Sequence, residues 1–108
     1  MRVAGISLGL FLLMTQAQAE SGIASFYDYP QKVACGGRYD RNAMTAAHRT
    51  LPCGTKVRVN SGVKSIVVTI NDRGPFIRGR IIDLSYAAAS QIGMLGSGLI
   101  RVTLEVIK

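Results

Sequence analysis

The sequence has no tryptophan, one histidine, two cysteines, three prolines and only six acidic residues in 108. Two cysteines and one histidine are too few for a structural zinc site, so neither a metal nor a cofactor is expected. A chain of this length supports one domain, which excludes multidomain enzymes, Rossmann-type dinucleotide proteins and repeat arrays. Charged residues make up 18% and apolar residues 48%, a balance that excludes intrinsic disorder. The long apolar run, Val3 to Met14, is about 12 residues, short of the roughly 20 a membrane-spanning helix needs. No membrane anchor is therefore expected.

What that run does match is an export signal. Met1-Arg2 is a positive start, and Thr15-Gln16-Ala17-Gln18-Ala19 ends in small residues at the two positions a signal peptidase reads. Cleavage is expected after Ala19, dividing the chain into a leader, 1–19, and a domain, 20–108. No cysteine ends the apolar run, so the usual signal for lipid attachment is missing. The expected location is the periplasm or the exterior, and the expected state is a monomer. Without Arg2, twelve basic residues face six acidic ones. In an exported protein this excess suits an anionic envelope polymer better than nucleic acid, which is not expected as a partner. The arginines are dispersed, and most dispersed charge is solvation. In an oxidising compartment the two cysteines have one possible pairing, Cys35 with Cys53.

The pattern from residue 20 onward is strands with one short helix. Ile23–Tyr27 and Thr55–Val59 alternate with period two, Ala43–Ala47 is a short strand, and Ile66–Ile70 is β-branched throughout. Arg80–Leu84 and Arg101–Ile107 complete six strands. Ser85 is placed to cap a helix through Ile92, and Gly93 to end it. Frequent glycine and six short strands predict a small closed barrel that is mainly β.

The stretches TAAHRTLPCGTKVRV, VTINDRGPFIRGRIIDLS and AAASQIGMLGSGLIRVTLEV, with GIASFY before them, closely resemble the rare lipoprotein A (RlpA) family. The resemblance covers essentially all of 20–108. It implies a six-stranded double-psi β-barrel, similar to those of barwin and expansins. It also implies a lytic transglycosylase that cuts peptide-stripped peptidoglycan glycan strands, leaving 1,6-anhydromuramic ends. No peptidoglycan-binding repeat module follows Lys108, so septal targeting is not expected.

Glycoside cleavage wants a proton donor for the leaving oxygen and a carboxylate or base across from it. A lytic transglycosylase uses the sugar's own 6-hydroxyl in place of water, so one carboxyl group could serve in both directions. Asp72 opens the turn DRGPF. Its residue type and position fit a turn-bonding role as well as a catalytic one, and the resemblance assigns it the catalytic role. His48 would, by itself, be read as a packed structural histidine; the resemblance ties it to activity, orienting Asp72 or holding substrate. Arg73, Arg78 and Arg80 could meet sugar hydroxyls or muramic carboxylates, and Tyr39 and Phe76 could stack on sugar faces. Asp83, in Asp83-Leu84-Ser85, reads most simply as a helix-entry group, whereas expansin-like barrels use this aspartate functionally. The chain departs from the family at Gly37, where most members carry a cleft glutamate. That departure leaves an expansin-like, non-catalytic glycan-binding barrel as the alternative.

Overall fold

The computed structural model describes residues 19–108. Six strands and a helix follow one another: β1 (Ala19–Phe26), β2 (Thr45–Ala47), β3 (Lys56–Asn60), β4 (Ser65–Asp72), β5 (Arg80–Leu84), α1 (Tyr86–Ile92) and β6 (Ile100–Ile107). The expected leader lies outside the described residues except for Ala19, which already pairs with Glu105 as the first residue of β1. Asp72, expected in a turn, is the last residue of β4.

The strands close into a barrel in the order β1-β5-β2-β4-β3-β6. β1 with β5 and β2 with β4 run parallel, and the other pairs are antiparallel. Period-two alternation puts Val57 and Val59, Ile66, Val68 and Ile70, and Val102 and Leu104 inside, each at most 8% exposed. Closure leaves no free sheet edge, which a domain with so small a core could ill manage. Helix α1 seals one side with Ala88, Ala89 and Ile92. Its ends form as the sequence predicts: the Ser85 hydroxyl accepts from the Ala88 N–H at 3.2 Å, and Gly93 adopts φ 84°.

Two irregularities in strand register shape the outer face. β4 carries one extra residue against β2, so that Ala46 pairs with Ile70 but Ala47 pairs with Asp72. β5 carries one extra against β1, so that Ile23 pairs with Arg80 but Ala24 pairs with Ile82. Such bulges re-aim the side chains beyond them. Gly22 admits the second: a Cβ there would lie 2.6 Å from the Ile81 side chain, so any larger residue would push β5 off β1.

The Cys35–Cys53 disulfide joins the 30–40 loop to the turn before β3, with Cα atoms 5.8 Å apart. That loop is folded back on itself by a bridge between Lys32 and Arg38.

Candidate active site

The bulges align a polar row across four neighbouring strands. Ser25 of β1 pairs with Asp83 of β5, Asp83 pairs with Ala47 of β2, and Ala47 pairs with Asp72 of β4. Directly opposed residues share a face of the sheet, so Asp83 and Asp72 project from the same floor on either side of the Ala47 methyl. Two interstrand spacings put their Cα atoms roughly 9–10 Å apart. Without the extra residue in β4, Asn71 would stand beside Ala47.

Asp72 is 9% exposed and is built to accept. Its Oδ1 takes the Ala34 N–H at 2.8 Å and the Arg73 N–H at 2.9 Å, and its Oδ2 takes the Tyr27 hydroxyl at 3.3 Å. Burial, followed by the charge and hydrogen bond of Asp72, pushes the Tyr27 phenol above its ordinary range. Asp83 accepts the Ser25 hydroxyl at 3.1 Å. Burial raises its carboxyl above the ordinary value of 3.8 and the Asp72 charge adds to this, while Ser25 and Arg80 oppose it. Two acids therefore share one floor in different surroundings, Asp72 held by two backbone N–H groups and the Tyr27 hydroxyl and Asp83 by the Ser25 hydroxyl. Asp83 does not cap α1, contrary to the plainer sequence reading; Ser85 does, and the Asp83 side chain turns to Ser25.

The His48 imidazole makes its hydrogen bonds away from the Asp72 carboxylate. Nδ1 accepts the N–H groups of Thr50 and Leu51, both at 3.1 Å, which leaves the ring proton on Nε2, 2.9 Å from Glu20 Oε1. The link to Asp72 runs through the backbone, where the His48 N–H donates to the Asp72 carbonyl at 3.1 Å. Arg73 is committed to the same turn: one guanidinium nitrogen donates to the carbonyls of His48 at 3.0 Å and Leu51 at 2.8 Å. It clamps the turn rather than facing the cleft.

The remaining candidates divide by place. Tyr39 is a framework residue, its hydroxyl donating to the Tyr27 carbonyl at 2.8 Å and accepting the Tyr86 N–H at 3.0 Å. Phe76 is 77% exposed on the loop between β4 and β5, with Arg78 exposed beside it and Arg80 half-buried at the head of β5. Gly37 sits at φ 85° with open space around it, a backbone setting that a glutamate would adopt only under strain. Sequence reasoning missed Ser25 and Ala47, and it gave Tyr27 and Glu20 no contact with Asp72 or His48. For Ser25 the one signal was the alternation of the first strand, which puts it on one face with Tyr27. Among the described residues no cluster could hold a metal ion.

The comparisons agree with this fold. The lytic transglycolase family profile matches residues 19–104. The chain is 54% identical over 93 residues to the probable endolytic peptidoglycan transglycosylase RlpA of Nostoc sp., a match covering 80% of this chain and 25% of that protein. It is 50% identical over 95 residues to the endolytic peptidoglycan transglycosylase RlpA of Pasteurella multocida, covering 83% of this chain and 32% of the relative. The chain thus spans about a quarter to a third of the length of these curated relatives. Among solved structures, the Streptomyces papain inhibitor superposes with a TM-score of 0.71 at 26% identity, covering 84% of this chain and 96% of the inhibitor. An expansin of Clavibacter michiganensis in complex with cellohexaose gives 0.68 at 19%, covering 83% and 50%, a likeness of fold. On the extent of the family match and the identity to these relatives, the chain belongs to the lytic transglycolase family, built on a six-stranded double-psi β-barrel.

Proposed function

We propose that this barrel is the cutting domain of an exported peptidoglycan lytic transglycosylase. The observation that carries the reading is the pairing of Asp83 and Asp72 across Ala47. The export signal of the sequence and the names of the relatives support the same reading.

The chemistry follows from the two surroundings. Asp83, whose carboxyl burial raises above the ordinary value, is the group that gives a proton to the leaving glycosidic oxygen. As the bond from the muramic C1 breaks, the muramic 6-hydroxyl attacks C1 and its proton passes to Asp72. A 1,6-anhydro ring forms and no water is consumed. One proton has moved from Asp83 to Asp72, and its return resets the site. Preset N–H donors on Asp72 hold its carboxylate in one orientation, so little reorganisation is needed during the reaction. His48 is a positioning residue: its ring gathers the 48–51 turn, and its backbone holds the end of β4.

Digestion of intact and amidase-stripped peptidoglycan by the purified protein, read by mass spectrometry, tests this. Anhydromuramic products are expected from the stripped glycan, and Asp72→Asn abolishes them. Binding to the glycan with no product would make the barrel a wall-binding module of the expansin-like kind. Gly37, at the position where the family resemblance implies a glutamate, favours that second reading.

A further inference from the structure

The floor that carries the two aspartates has differently charged ends. β5 runs from Arg80 to Leu84 and leads to Tyr86, so the 73–79 loop lies at its start and the residues around Tyr86 lie past its end. At the start, Arg78 is exposed and makes no side-chain hydrogen bond or ion pair among the described residues. Arg49 is also exposed, touching only the Pro75 carbonyl, at 3.5 Å. These two cations are free, whereas Arg73 is not.

Past the other end is a pocket of about 390 Å³ lined by Asp28, Tyr29, Pro30, Tyr39, Asp40 and Arg41. Its single cation is spoken for: Arg41 grips Asp28 with two bonds of 2.7 and 3.0 Å and stacks on Tyr86 at 3.9 Å. Asp40 is left as a net negative charge, with Oδ1 held by the Asn42 N–H at 2.9 Å. Tyr29 is 57% exposed and lies edge-on to Tyr27, whose hydroxyl reaches Asp72. An exposed ring with acceptors at its rim suits an uncharged sugar and repels a carboxylate.

The two sugars of the glycan differ in one group, the lactyl ether on muramic acid, which ends in a carboxylate once the peptide is gone. We infer that the cleft reads the direction of the strand by charge, seating N-acetylglucosamine in the Tyr29–Asp40 pocket and the muramic carboxylate at Arg49 and Arg78. This inference rests on the transglycosylase reading and adds the register. The muramic residue donates its own 6-hydroxyl, so it lies on the non-reducing side of the broken bond. The strand then runs from the arginine loop, over the aspartates, to the tyrosine pocket. An attached peptide converts the carboxylate to an amide and removes the charge that Arg49 and Arg78 read.

The test compares stripped glycan with the same glycan after carbodiimide conversion of its lactyl carboxylates to primary amides. Amidation is expected to raise the KM of the parent by about fivefold, an effect that shrinks in high salt. Arg49→Ala with Arg78→Ala should raise the KM for the acid form and abolish the response to amidation. Tyr29→Ala should raise KM for both forms equally. Tyr29→Ala should also weaken binding of chitohexaose, which contains only N-acetylglucosamine, and the arginine variant should leave that binding unchanged. A parent indifferent to amidation, or a Tyr29 variant that alone loses the response, would overturn the register. Binding of both glycans is measured in parallel on Asp72→Asn, so absence of product from the parent sinks the enzyme reading without deciding the register.

Discussion

Asp72 and Asp83 stand eleven positions apart in the chain, yet both pair with Ala47 in the barrel, one through β4 and one through β5. Their separation is set by a residue whose side chain is one methyl group, 3% exposed. Anything larger at that position stands between the carboxyl groups.

Ala47→Val therefore tests the floor itself. The added methyls overpack a closed site at a cost of about 1–3 kcal/mol, and the barrel should still fold. Anhydromuramic product release is expected to drop at least about tenfold while glycan binding persists, with melting curves confirming the folded state. Full activity with Val at this position would separate the two aspartates functionally.

Asp83→Asn addresses the proton donor, and its sign is fixed by linkage. The raised carboxyl binds its proton more tightly in the folded state, so stability falls as pH rises upward from the ordinary value of 3.8. Asparagine keeps an acceptor for the Ser25 hydroxyl and carries no buried charge. The variant should melt a few degrees above the parent at neutral pH, and the gap should close toward about pH 3. Its kcat should fall by roughly 10²–10⁴, the contribution of a positioned general acid. A stabilised variant with unchanged kcat would leave Asp83 a binding group only.

Removing the disulfide should cost more than stability. Cys35–Cys53 closes a loop of 18 residues, for which chain entropy gives about 3 kcal/mol. The neighbouring Ala34 N–H is one of the donors on Asp72 Oδ1, and the Cys35 N–H donates to the Asn71 carbonyl at 3.1 Å. With both cysteines replaced by alanine, activity per folded molecule should fall as well, measured well below the new melting temperature. Loss of Tm alone would confine the bond to a stabilising role.

Gly37→Glu supplies the residue type that the family resemblance implies at this position, but not its setting. Open space surrounds Gly37, so no clash opposes the side chain. The backbone at φ 85° does oppose it, at roughly 1–2 kcal/mol for an L-residue. The expected result is a lower melting temperature with no gain in turnover. A large rise in turnover would show that the site lacks a third acid.

Much of this barrel was legible locally. β-branched Ile66–Ile70, alternating Thr55–Val59 and the Ser85 and Gly93 caps each carry their conformation in a few neighbouring residues, and the strands form within a residue or two of expectation at most ends. Asp72 and His48 were legible as residues worth attention, through motif resemblance. Their surroundings were not: Tyr27 and Ala34 reach Asp72 from 45 and 38 positions away, and Glu20 reaches His48 from 28.

Alone, the sequence determined the strand and helix segments, the cysteine pair and the identity of the acids, because these depend on periodicity, caps and counts. The tertiary structure decided which acids meet. A bulge in β4 turns Asp72 to the outer face, a bulge in β5 lines Asp83 up with Ser25, and barrel closure brings both against Ala47. Register is a property of strand pairs, and a one-residue shift exchanges the two faces of a sheet, so no single segment carries that information.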